Sequence, residues 1–183
     1  MNRLQSSKAR QRILTVATKL FYEHDAHTIG VDRICEEANV SKRTLYKHFP
    51  TKETLVATAI TTLGSEWFEE CKNIDSENPV ERITHIFKMI EPVAELENFQ
   101  GCVLMNTSIE LRDSSALAKG VARDIKGRLY EYFKQQAELM HAKNPAELAE
   151  QLVMLFDGCS AWIVMRHKFP TSTYSSLKLL LQP

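Results

Sequence analysis

Seven consecutive residues, Lys42 to His48, include six side chains suited to a polyanion: Lys42, Arg43, Thr44, Tyr46, Lys47 and His48. Arg43 can bridge the O6 and N7 acceptors of a guanine, and Thr44 can donate to a base edge or touch a thymine methyl. Lys42, Tyr46, Lys47 and His48 can donate to phosphate oxygens. As a helix, the segment makes about two turns, roughly 10 Å long, and fits a major groove roughly 12 Å wide. Lys52 adds a cation at the start of the next helix, where backbone N–H groups already favour an anion. Leu45 and Phe49 remain to anchor the segment in a core. The same pattern also fits a solvated basic helix on an ordinary bundle.

The charge distribution leans towards a polyanion. The 183-residue chain has no formal net charge, yet residues 1–55 hold 10 Lys/Arg against 6 Asp/Glu, and residues 56–183 hold 13 against 17. A basic head on an acidic body suggests a nucleic-acid partner, and chance clustering gives the same numbers.

The elements that would position these residues read as helices. With only 6 Gly and 6 Pro, the chain is too poor in turn residues for a β-sandwich, and an all-α fold is expected. Ile13, Leu14, Ala17, Leu20 and Phe21 follow one helix face, which breaks at Asp25 to Thr28. Val31, Ile34, Cys35 and Ala38 make a second, short face, followed by the turn-like Asn39-Val40-Ser41. Ser41 is a good N-cap, and Phe49-Pro50 stops the helix that it starts. Val31 to Phe49 thus has the proportions of a helix-turn-helix. Thr51 caps a long helix striped by Leu55, Ala59, Leu63, Trp67 and Cys71, with Glu53 in its positive first turn. Further helices are expected at about 79–96, 102–112, 115–141, 145–168 and 172–181. A helix-turn-helix head over 1–50 and a helical body over 51–183 follow.

The run Val40-Ser41-Lys42-Arg43-Thr44-Leu45-Tyr46-Lys47-His48-Phe49-Pro50-Thr51-Lys52 resembles the signature of the TetR/AcrR transcriptional regulators. Arg12-Ile13-Leu14, Leu20-Phe21 and Gly30-Val31-Asp32-Arg33-Ile34 extend the resemblance over about residues 8–58. Asp25 and Asn39 stand where these proteins usually have Gly; Asp and Asn tolerate left-handed backbone better than other non-Gly residues. The resemblance implies that Thr28, Ser41, Lys42, Arg43, Thr44, Tyr46, Lys47, His48 and Lys52 lie at a DNA surface. Arg43 stands at a family position that is often small, so its base contact belongs to this chain's own operator. The resemblance also implies a repressor, a palindromic double-stranded operator, a small-molecule effector in the body and a two-helix dimer face.

Residues 145–168 are apolar on more than one face, which marks a helix that is deeply buried or shared between chains. Leu148, Leu152, Leu155, Cys159 and Trp162 form the stripe assigned to a homodimer, and Gly158 would allow close approach. Trp67, Phe87, Met105, Tyr130 and Phe133 are candidates to line an apolar or aromatic effector's cavity, with Asn106, His85 or Tyr130 for orientation. Ordinary core packing describes each of them as well.

No GxSxG, P-loop, GxGxxG or metal-ligand cluster occurs. No catalytic residue, cofactor or metal is therefore expected. His24 and His27 read as surface residues, and the four cysteines as buried thiols of a reducing cytoplasm. Leu152 to Met165 falls short of the ~20 apolar residues of a membrane span. A small helical enzyme using one of the cysteines, or an interaction protein without an effector, remain as alternatives.

Overall fold

The structure, a computed structural model, describes residues 3–24, 26, 28–96, 99, 101–102, 104–106 and 116–182. Asp25, His27 and positions 107–112 of an expected helix lie outside the described residues. All regular secondary structure among the described residues is helical. The elements are α1 (Arg3–Glu23), α2 (Val31–Glu37), α3 (Lys42–His48), α4 (Lys52–Lys72), α5 (Pro79–Ile90), a 3-10 turn (Pro92–Glu95), α6 (Ala116–Leu139), α7 (Pro145–Arg166) and α8 (Thr173–Leu180). Residues 104–106 add a short helical piece.

Local chemistry sets most helix ends. Asn78 Oδ1 accepts from the Val80 and Glu81 N–H groups at 2.9 and 3.4 Å, with Pro79 in the first turn of α5, where its missing N–H costs nothing. Asn144 Oδ1 accepts from Glu147 N–H, and Glu147 Oε2 accepts from Asn144 Nδ2, which caps α7. The single helix expected over 79–96 is two elements. Pro92 has no N–H to give to a continuing helix, so α5 stops at Ile90 and a 3-10 turn follows.

The chain divides into two compact units. One comprises Met1–Ser65 with Val103–Asp124, the other Glu66–Cys102 with Ile125–Pro183; α4 and α6 each contribute to both. In the first unit, α1, α2 and α3 pack on one another. Their buried faces carry Ile13, Leu14, Ala17, Leu20, Phe21, Ile34, Cys35, Leu45 and Phe49. In the second unit one core joins Phe68, Ile83, Ile86, Phe87, Leu129, Phe133, Leu148, Leu152, Phe156, Cys159 and Leu177.

By length and composition α7 is a helix able to cross a membrane, a reading that the shorter stretch Leu152 to Met165 does not give. Its apolar character has a different source in this fold. Leu148, Leu152, Phe156, Cys159 and Ile163 fill the chain's own core, and a second apolar face is exposed.

Candidate nucleic-acid interface

The α2–α3 corner is built from backbone hydrogen bonds. Val40 N–H donates to Cys35 O at 3.0 Å and Asn39 N–H to Glu36 O at 3.1 Å. Asn39 between them has φ 49°. This is a Schellman close with a left-handed residue after the cap. It explains why Asn serves where Gly is usual: its short polar side chain tolerates αL.

Ser41 then opens α3. Its Oγ accepts from the Thr44 N–H at 3.1 Å and lies 2.9 Å from Thr44 Oγ1. Phe49 closes the helix with extended backbone, its N–H donating to Leu45 O at 2.8 Å. Leu45 and Phe49 are buried, so the opposite face is turned outward. Ser41, Lys42, Arg43, Tyr46 and Lys47 are exposed, and Thr44 and His48 are half-buried. The six candidate side chains of α3 therefore share one short rigid element. Thr51 repeats the device at α4, its Oγ1 accepting from the Thr54 N–H at 3.1 Å. Half-buried Lys52 begins that helix. Thr28 is exposed two residues before Gly30, the N-cap of α2.

Because α3 has only seven residues, its cap matters. Ser41→Ala removes the acceptor and is expected to cost about 1 kcal/mol. Binding of the head to any duplex should weaken with it, while the preferred sequence stays the same. Ser41→Asp should restore the melting temperature and still bind poorly, because its carboxylate would face phosphate. Thermal melts and duplex titrations of both variants check this; an unchanged melt in Ser41→Ala would remove the cap from the account.

Two ion pairs shape the charge of the corner. Lys42 Nζ lies 2.6 Å from Asp32 Oδ1, linking α3 to α2. The hydrogen bond that Lys42 donates to the Asp32 carboxylate pushes its ammonium above its ordinary range. Arg33 pairs with Glu37 at 3.0 Å and meets His24 Nε2 at 3.3 Å. His24 is thus a surface residue, as its place at a helix end implies. The Asp32–Lys42 pair joins residues ten apart on different helices, a relation that sequence spacing does not signal. Arg43 and Lys47 have no ion-pair partner among the described residues.

The body candidates separate. Phe87 and Phe133 have no accessible surface and stack with centroids 6.1 Å apart. Phe87 also meets Phe156, which meets half-buried Trp67 at 5.4 Å. Tyr130 is half-buried on the same core. These four belong to the second unit, whereas half-buried Met105 and Asn106 belong to the first. Phe87 and Phe133 act as core residues here, because a fully covered ring has no surface to offer a ligand.

The stripe read on α7 also re-divides. Leu148, Leu152 and Cys159 lie in the chain's own core and have almost no surface left for a partner. Trp162 is exposed and Leu155 half-buried at the edge of a different face, formed by Met154, Gly158, Ala161 and Met165. A Cβ on Gly158 would meet nothing within 4 Å in the chain itself.

All four cysteines are free. Burial pushes the Cys35, Cys71 and Cys159 thiols up, Cys71 to about 12. That is opposite to the depressed pKa of a cysteine nucleophile.

Comparison with known proteins agrees with this geometry. Residues 13–59 match the family described as "Bacterial regulatory proteins, tetR family". The transcriptional activator FasR of Mycolicibacterium smegmatis is 39% identical over 51 residues, 28% of this chain and 23% of that protein. The transcriptional regulator UidR of Escherichia coli is 29% identical over 92 residues, 50% of this chain and 44% of that one. The matches thus span less than half the length of these curated relatives. A solved TetR-type transcriptional regulator from Streptomyces avermitilis is 34% identical, with 94% of this chain and 96% of that one covered and a TM-score of 0.84. NemR of Escherichia coli, solved in its reduced form, shares the fold at 16% identity, with 94% of this chain and 95% of that one covered and a TM-score of 0.81. A matching head, with a likeness that runs through nearly the whole of a solved relative, means that the chain belongs to the TetR family of bacterial transcriptional regulators.

Proposed function

We propose that this regulator is a homodimeric, non-enzymatic repressor acting in the cytoplasm on a palindromic operator. The observation that carries it is the capped helix α3, anchored by Leu45 and Phe49, with unpaired Arg43 and Lys47 on its outer face. In a dimer, two such helices would enter major grooves about 35 Å apart. Arg43 and Thr44 would read bases; Thr28, Tyr46, Lys47, His48 and Lys52 would hold phosphates, with Lys42 passing from Asp32 to phosphate. The relative FasR is named an activator, so the head by itself does not set the sign of control. Blocking of a promoter by the bound dimer is the mode that family membership favours.

A small molecule in the body would release the operator. Two buried polar atoms of the second unit, His85 Nε2 and Gln136 Oε1, have no hydrogen-bond partner among the described residues. An unpaired buried polar atom costs about 1–3 kcal/mol, so an effector that parted the side chains covering these atoms and brought an N–H and an acceptor would regain part of that cost. Trp67, Met89 and Tyr130, half-buried against the core, would supply apolar and aromatic contact. The effector need prefer the off state by only about 1.4 kcal/mol to weaken operator affinity tenfold, given a free protein mostly competent for DNA. Helix α4, continuous from Lys52 to Lys72, would couple the two ends.

Selection from a random duplex pool tests the reading. The wild type should enrich a palindrome. Arg43→Ala should lose about 1–3 kcal/mol of operator affinity and relax preference at one base pair of each half-site. An Arg43→Ala profile identical to that of the wild type would refute the base contact.

A further inference from the structure

Arg10 lies outside the DNA-facing set given above. It comes from α1, yet its guanidinium carbon stands 5.1 Å from the centre of the Phe49 ring. Phe49 directly follows the last residue of α3, and α4 begins at Lys52. The fold thus brings a cation from the far end of the head to the junction of the two helices that carry Tyr46, Lys47, His48 and Lys52. Arg10 is exposed, and no carboxylate pairs with it among the described residues. Its own helix supplies none nearby: from Arg3 to Tyr22, α1 holds five cations and no acid. A guanidinium over an aromatic ring still has N–H donors to offer an oxygen, and the ring limits the orientations it must give up on binding.

We infer that Arg10 is a further phosphate-binding residue, held over the Phe49 ring at the trailing end of α3. The inference rests on the DNA-binding reading and extends the contact from α3 and α4 to α1. Its chemistry is independent of base sequence, because phosphate carries no base information.

Arg12 provides the control. It lies about 200° around α1 from Arg10, in a groove with Lys8, Gln11 and Glu37. Arg10→Ala and Arg12→Ala change the net charge equally, so long-range attraction alone would treat them alike. The full-length variants are titrated with a mixed-sequence duplex over a range of salt concentrations. Arg10→Ala should reduce the slope of log affinity against log salt by about 0.9 per bound head and weaken binding roughly five-fold per head at about 0.15 M salt. Arg12→Ala should leave the slope near that of the wild type, and Arg10→Lys should restore most of it. A merely structural Arg10 would lower the melting temperature and leave the salt slope alone. Should Arg10→Ala fail to fold, Arg10→Gln keeps a planar group on the ring without the charge and gives the same readout. Equal slopes for the Arg10 and Arg12 variants, or a wild-type slope in Arg10→Ala, would overturn the inference while the DNA reading stands. A wild type without salt-dependent binding would sink both.

Discussion

Phe133→Ala should destabilise the protein by about 3–5 kcal/mol, the usual cost of emptying a phenylalanine site in a core. For a chain of this size that is a fall in melting temperature of roughly 6–20 °C. Phe133 has no accessible surface, so no part of its transfer energy is already spent in water. It also stands in the middle of a run of rings. Phe133 stacks on Phe87 and touches Tyr132 at 6.4 Å; Phe87 leads to Phe156, and Tyr132 to Phe68. Four helices, α4, α5, α6 and α7, meet through these contacts, and each aromatic pair adds about 0.5–1.5 kcal/mol beyond the area it buries. The hole left would be apolar and dry, so benzene or toluene should raise the melting temperature of the variant and leave that of the wild type unchanged. Calorimetry with and without the aromatic compound measures both effects. A loss below about 1 kcal/mol, joined to an altered effector response, would return Phe133 to the effector cavity from which its burial removes it.

What the sequence reveals depends on whether the cause is local. The recognition corner is legible because each determinant lies within a few residues: Ser41 accepts from Thr44, Asn39 turns the chain, Pro50 ends the helix, and Leu45 with Phe49 sets the inward face. The same holds for Asn78-Pro79 and Asn144-Pro145. Contacts that tertiary packing creates have no such mark. Asp32–Lys42 and Lys126–Asp157 join residues on different helices, and Arg10 of α1 meets Phe49, the cap of α3. The faces of α7 show a subtler failure. Leu148, Leu155 and Trp162 recur every seven residues, and on paper they make one stripe with Leu152 and Cys159. A straight helix drifts by about 20° per heptad, so Leu155 and Trp162 rotate away from the core while Phe156 and Ile163 rotate into it. The helix is apolar on two sides, as its composition implies, but the dividing line falls elsewhere.

That outer side of α7 carries the second large effect. Trp162→Glu should convert the protein to a monomer in sedimentation at micromolar concentration and weaken operator binding by about 10²–10⁴-fold, the avidity that two joined heads provide. Trp162 is 43% exposed, and beside it Met154 and Met165 are 65% and 69% exposed. Of the eleven large apolar side chains exposed among the described residues, five lie on α7 and α8: Met154, Trp162, Val164, Met165 and Leu179. These two helices pack against each other. Gly158 lies within this face, at a helical position where Ala is favoured by about 1 kcal/mol, and its own chain leaves the space above it open. A second backbone passing close by gives that glycine a reason. In an isolated chain the new carboxylate would stay in water and cost little. Across a closed interface it would be buried without a partner, at several kcal/mol per copy. The variant should therefore melt like the wild-type monomer, and each head should keep its affinity for non-specific duplex. Trp162→Phe should remain dimeric. A Trp162→Glu protein that still sediments as a dimer would move the interface off this face, and the exposed methionines would then need another partner.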